Sequence, residues 1–366
     1  MSLLVEQAMH EGAAGFSSGL EYWPGILASP EHLVPMCKVA AEHGKLYATH
    51  VRNRDTQYDL GFSEALATAR QSNVRLQISH IQPKFGAPGY AMEHTLEMLE
   101  LARRHDVDVA FDVIPHDWAH TLMAAILPKW AQAGGVDDVL MRLADPQLRE
   151  RIKANSQPMW LLVKERRWSD IVLLNASVNQ DLVGADFAEI GRMRGVDPYD
   201  AVLDILLEEG DNLLGTMWSS RSFRDEDVTL CLQQPECAVI SDTVAIANDG
   251  VLKDHVGSLS GYGWAARFLQ HYVRSEKVMS LEQGIQKLTS IPAERLGLKK
   301  RGLLKPGCYA DICVFDPATI ASNCSAKHPR RYATGFAHVL VNGKFSFRDG
   351  QRTDGNPGTV LRDLAA

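Results

Sequence analysis

Lys45-Leu-Tyr-Ala-Thr-His50, Arg75-Leu-Gln-Ile-Ser-His80 and Val107-Asp-Val-Ala-Phe-Asp-Val113 are three apolar runs of strand length, and the pattern around them decides the fold. Each follows a helical pattern: Pro30 to His43, Leu60 to Gln71 and Met92 to His105. The first helix opens on Ser29 as N-cap with Pro30 at its first position. It repeats Leu33, Met36, Cys37 and Ala40 at helical spacing and stops at Gly44. Strands alternating with helices of about 10–15 residues imply right-handed crossovers and a parallel sheet, either closed as a barrel or doubly wound.

Outward from this core the rhythm changes. Between Trp118 and Glu236 the sequence predicts helical stretches around Leu122, Val139 and Ala201 and apolar runs at Met159 to Leu162 and Ile171 to Leu174, which together read as an insertion. A last strand, Cys237 to Ser241, precedes a loop carrying Gly250, Gly257, Gly261 and Gly263 and a helix from Trp264 to Val273. From Leu303 short β segments return at Asp311 to Phe315 and His338 to Val341, and Asn342-Gly343 suits a type I′ hairpin turn.

Composition sets the class. The chain has 366 residues, 45% hydrophobic and 23% charged, enough apolar material for a folded core. Its 38 Lys and Arg against 45 Asp and Glu leave a net charge of −7, which provides no broad cationic surface and argues against a nucleic-acid partner. Cys37, Cys231, Cys237, Cys308, Cys313 and Cys324 form no C-x-x-C pair and read as reduced thiols of a cytoplasmic protein. No apolar run approaches the ~20 residues of a membrane span, and Met1 to Gly12 has neither the basic nor the apolar region of an export signal.

The chemistry lies at the strand ends. His50 and His80 each close a strand, about one βα unit apart; Asp112 lies in the third strand, and Asp242 follows Ala238-Val-Ile-Ser. Carboxyl ends of successive parallel strands share one face, so these side chains are expected to converge. Two imidazoles and one or two carboxylates form a donor set for a catalytic divalent metal such as Zn²⁺, whose bound water attacks a carbonyl carbon. The alternatives are ordinary: a strand-end histidine satisfied by its neighbours, an Asp242 that caps the next loop, and an Asp112 that supports the strand. His116, His120 and His255 read as surface or pocket-rim residues rather than ligands.

Gly15-Phe-Ser-Ser-Gly-Leu-Glu-Tyr-Trp-Pro-Gly25, Tyr47-Ala-Thr-His-Val-Arg-Asn53, Ile78-Ser-His-Ile81, Asp112-Val-Ile-Pro115 and Ile240-Ser-Asp242 resemble, in order, motifs of the N-acyl-D-amino-acid deacylases of the amidohydrolase superfamily. Thr289 to Leu298, Arg301 to Gly307, Ala310 to Asp316 and Val341 to Lys344 resemble that superfamily's passage from barrel to small β-sandwich. The resemblance implies an α/β fold, a (β/α)8 TIM-like barrel incomplete at its N-terminus. The barrel occupies residues 1–302, with an inserted lid at about 118–236, and part of a β-sandwich fills 303–366.

The resemblance also implies a hydrolase of linear amides, with His50 and His80 as metal ligands and Asp242 as the residue that moves a proton from water to the leaving nitrogen. Zn²⁺, as one or two ions, is the expected cofactor and a small molecule the expected substrate. A cyclic-amide hydrolase of the hydantoinase or dihydroorotase type and an inactive scaffold are the alternatives. The family's first-strand His-x-His pair and early cysteine have no counterpart. Strands one to three are therefore expected to be missing, with metal held weakly, low activity, and open edges that invite self-association. The family's Ser-His-Leu-Lys is Ser79-His-Ile-Gln82 here, its Asp-Val-Tyr-Pro-Tyr is Asp112-Val-Ile-Pro-His116, and its substrate-reading arginine after the aspartate is not found between His255 and Trp264. Arg52, Gln82 and His116 are the candidate substrate contacts.

Overall fold

In the computed structural model, which describes the chain except residues 23, 156–160, 244–246, 248, 252–258 and 363–366, the predicted strands form one parallel sheet. Its order is β1 (Gly15–Gly19), β2 (Leu46–His50), β3 (Arg75–Ile78), β4 (Val109–Val113) and β8 (Ala238–Val239). Helices α1 (Ser2–His10), α2 (Pro30–Glu42), α3 (Tyr58–Ser72) and α4 (Ala91–Arg104) accompany it. Their boundaries follow local chemistry: the His32 ring accepts the Ser29 N–H at 3.1 Å at the start of α2, and α3 ends on Asn73 in the left-handed region, φ 54°.

The period of two along each strand separates core from site. Tyr47, Leu76, Ile78, Phe111 and Val113 point into the helical layer, where they bury against Leu33, Phe62, Ala65, Met92 and Leu99. The alternate positions, Ala48, Gln77, Ser79, Ala110 and Asp112, line a concave inner space of about 770 Å³. Apolar burial on one face of the sheet stabilises it at roughly 25 cal/mol per Å² and leaves the inner face free for polar groups.

The excursion after β4 builds its own antiparallel sheet from β5 (Trp118–Leu122), β6 (Ile171–Asn175) and β7 (Met217–Arg221), ordered β5-β7-β6. A second core of Trp218, Phe187, Leu173 and Ile205 fills it. The helix expected around Leu122 is a strand up to that residue, because pairing of Trp118 with Arg221 and of Leu122 with Met217 overrides local preference, and a short 3-10 turn over Met123–Ile126 beyond it. Helices Val136–Ala144 and Pro198–Glu208 form as expected, whereas Met159 falls outside the described residues and Leu161–Lys164 is helical. The excursion, expected to run to residue 236, closes at the hydrogen bond from Phe223 N to Asp117 O, 3.0 Å. Beyond it the helix Asp225–Leu232 buries Val228, Cys231 and Leu232 in the first core.

Strands β9 (Ile312–Phe315), β10 (Phe336–Val341), β11 (Lys344–Arg348) and β12 (Gln351–Arg352) form a small antiparallel sheet. Asn342 and Gly343 turn between β10 and β11 with φ of 50° and 78°, both positive as a type I′ turn requires. Among the described residues no helix is long and apolar enough to cross a membrane.

Candidate active site

Register brings the strand ends together. Gly19 pairs with His50 and Thr49 with Ile78, and the ladder continues past β3 through Ser79 N to Thr49 O, 3.0 Å, and Ile81 N to Asp112 O, 2.9 Å. The chain turns sharply after this edge, with His80 at φ 37° and Asp242 at φ 51°. Left-handed backbone at residues other than glycine costs roughly 1–2 kcal/mol, and the surrounding hydrogen bonds hold it in place. As expected from the sequence, the three side chains meet. The rings of His50 and His80 lie 4.4 Å apart at 78°, and Asp242 Oδ2 is 3.8 Å from His80 Nε2.

All three line a cavity of about 650 Å³ between this edge and the inserted sheet. The insertion contributes His120, Leu122, Val139, Leu213 and Met217 to it. Asp242 is partly exposed at the cavity mouth, with 41% of its side chain accessible, whereas His80 is buried.

The charges under the imidazoles were not read from the sequence. Glu21 is buried two residues beyond β1, where its Oε2 meets His50 Nε2 at 2.6 Å and accepts from Lys84 Nζ at 2.5 Å. Burial alone would raise the Glu21 carboxyl, but the Lys84 ammonium and His50 outweigh it and hold the acid well below the usual carboxylate range. Arg54, also buried, donates to the carbonyl oxygens of His80 and Gln82. Burial lowers His50 to about 4, against the raising pull of Glu21. Burial and the Arg54 charge lower His80 well below its ordinary value. Both rings are therefore neutral near pH 7, the form that ligates a metal.

Glu21 could have been found by the strand-end rule that found His50, since it lies at the same edge. Lys84, on an irregular loop after Pro83, gave no local signal.

The other candidates divide. Asp112 supports the site: its carboxylate accepts from His80 N at 2.6 Å and from Gln77 Nε2 at 2.7 Å, and burial pushes it up to about 7. Gln82, expected as a substrate contact, is fully buried and bonds both backbone groups of Ile114, at 2.8 and 3.3 Å. It ties the loops after β3 and β4 together. His116 is buried outside the cavity lining, and burial with the Arg267 charge pushes it well below its ordinary value. Arg52 borders a neighbouring cavity, but its guanidinium binds both Glu64 oxygens at 2.8 and 2.9 Å and the carbonyls of Ile26 and Ala28. These three side chains are spent on loop anchoring and burial, a role that residue type alone does not reveal. His120 lines the cavity, with burial lowering it to about 4, and His255 lies outside the described residues.

The donor chemistry of His50, His80 and Asp242 fits a divalent transition metal. Their spacing is loose: no three donors from Glu21, His50, His80 and Asp242 come within 4.8 Å of one another.

The amidohydrolase family profile matches residues 241–347. N-acyl-D-glutamate deacylase of Alcaligenes xylosoxydans xylosoxydans is 27% identical over 362 residues, 99% of this chain and 63% of the relative. D-aminoacylase of the same organism is 27% identical over 99% of this chain and 64% of its own length. The chain thus spans just under two thirds of these relatives. Among solved structures, N-acyl-D-glutamate deacylase from Bordetella bronchiseptica, complexed with zinc and a phosphonate mimic of the tetrahedral intermediate, superposes with a TM-score of 0.78 at 28% identity, covering 99% of this chain and 65% of that one. A D-aminoacylase structure matches with a TM-score of 0.73 at 27% identity, over 97% and 64%.

Proposed function

We propose that the chain is an amidohydrolase akin to the N-acyl-D-amino-acid deacylases it resembles and that it hydrolyses the linear amide bond of N-acyl-D-amino acids. The observation that carries this reading is the meeting of His50, His80 and Asp242 on one cavity. His50 and His80 would hold a divalent ion, with zinc the candidate because the Bordetella relative was solved with it; when bound it would supply Lewis-acid polarisation of the acyl carbonyl and a lowered pKa for water.

The chain's own residues do the rest. Glu21 fixes the His50 ring through Nε2, and Arg54 fixes the turn that carries His80 through its carbonyl. Asp242 accepts a proton from the attacking water and returns it to the leaving nitrogen, a shuttle that suits a carboxylate beside the histidines. The inserted segment lines the cavity across from the histidines through His120, Leu122 and Met217.

The lining narrows the substrate. Leu122, Leu127, Val139, Leu213 and Met217 face the cavity, and among the described residues no lysine or arginine lines it. A charged amino-acid side chain gains no ion pair there, so apolar N-acetyl-D-amino acids are expected to be cleaved faster than N-acetyl-D-glutamate or N-acetyl-D-aspartate. The test is a panel of these compounds with their L-isomers, a hydantoin and dihydroorotate, each with and without added Zn²⁺. Expected is zinc-dependent cleavage of the D-isomers below about 1 s⁻¹, under the usual enzyme range, because the loose donors are not held to the ~0.5 Å that catalysis needs. Preferential opening of the cyclic amides, or cleavage indifferent to zinc and chelator, would overturn the reading.

A further inference from the structure

We infer that Glu6, His10 and His43 form a second transition-metal site, a clamp between α1 and the end of α2 at the edge of the sheet opposite the candidate active site. Among the described residues these are the only three His, Cys, Asp or Glu donors whose ligand atoms all lie within 4.8 Å of one another. His10 Nε2 is 3.0 Å and His43 Nε2 2.9 Å from the same oxygen, Glu6 Oε1. The two rings stand edge to face with centroids 4.9 Å apart.

Placement follows from the fold. Val5 and Met9, one helical turn apart, bury α1 in the first core. Glu6 and His10 follow each by one position and so share the adjoining stripe. His43 is the C-cap of α2. Both helices end just before the first residues of β1 and β2, and Gly15 pairs with Leu46 in parallel register. Their ends therefore meet at the N-terminal edge of the sheet, a strand length from His50 and His80 at the other edge.

Two imidazoles and one carboxylate are the ligand types of Zn²⁺ and Cu²⁺ sites, and the imidazoles discriminate against Mg²⁺ and Ca²⁺. Arms of about 2.0–2.1 Å in a tetrahedron place ligand atoms roughly 3.3 Å apart. The observed pairs need only a small opening, and the side chain of His10, 69% exposed, is free to supply it. A bound ion would hold α1 against α2 more firmly than a carboxylate shared by two rings, since it exists only when both helices are docked.

The experiment is calorimetric titration of the chain with Zn²⁺ in wild type, H10A, E6Q and the double variant H50A/H80A. Expected is one binding event that H10A and E6Q lose and H50A/H80A keeps, together with a rise of Tm on adding Zn²⁺ to H50A/H80A that a further H10A substitution abolishes. Equal stoichiometry and affinity in H10A and wild type would overturn the clamp, as would loss of the same event in H50A/H80A. Should H50A/H80A not fold, Cu²⁺ electron paramagnetic resonance of wild type against H10A decides. Loss of one coupled nitrogen at one site supports the clamp, and identical spectra overturn it.

Discussion

Replacing Asp242 with asparagine is expected to slow amide hydrolysis roughly 10²–10⁴-fold, while the zinc content of the protein stays at the wild-type level. Asparagine keeps the shape of the side chain and its position 3.8 Å from His80 Nε2, but it cannot accept the proton of the attacking water. Asp242 stands at the cavity mouth beside the histidines, where a carboxylate can take up the proton of the attacking water. Progress curves on the best substrate of the panel, read beside metal analysis, separate the outcomes. A variant that turns over like wild type removes Asp242 from the chemistry, and one that loses zinc makes it a ligand instead.

Lys84→Met is expected to lower folding stability by about 3–5 kcal/mol, because it strands the buried Glu21 carboxylate. Glu21 Oε1 has no hydrogen-bond partner, so Lys84 and His50 at Oε2 are its named compensation. Urea denaturation of the variant measures the loss, and a change within 1 kcal/mol would show that the pair is not the counterweight argued here. The double variant Glu21→Leu/Lys84→Met removes both charges. It is expected to recover much of the stability while zinc affinity drops on the order of 10–100-fold, since the partner that orients the His50 ring is gone.

The two expectations differ in how visible their residues were. His50, His80 and Asp242 were legible because each closes a strand, and parallel strands deliver their ends to one edge whatever the intervening loops do. Glu21 obeyed the same rule but stood inside a glycine-rich stretch that reads as a turn. Lys84 and Arg54 act from irregular loops, and only the folded path of the backbone brings them under the histidines. Gln82, His116 and Arg52 show the converse: polar residues beside a motif whose side chains the fold commits to Ile114, to a buried position and to Glu64.

By itself the sequence determined the parallel α/β sheet, its helices and their stops, the interruption after Val113 and the hairpin at Asn342-Gly343, because all of these rest on local periodicity, caps and turn chemistry. The tertiary structure decided the rest. Pairing of Trp118–Leu122 with Met217–Arg221 joins residues far apart in the chain, and no local preference encodes such a partner. The Glu21, Lys84 and His50 network and the Glu6, His10 and His43 cluster likewise exist only through distances that docking of separate elements creates. Charge and burial act through space, so the protonation states that fit His50 and His80 for metal were fixed by the fold rather than by the order of residues.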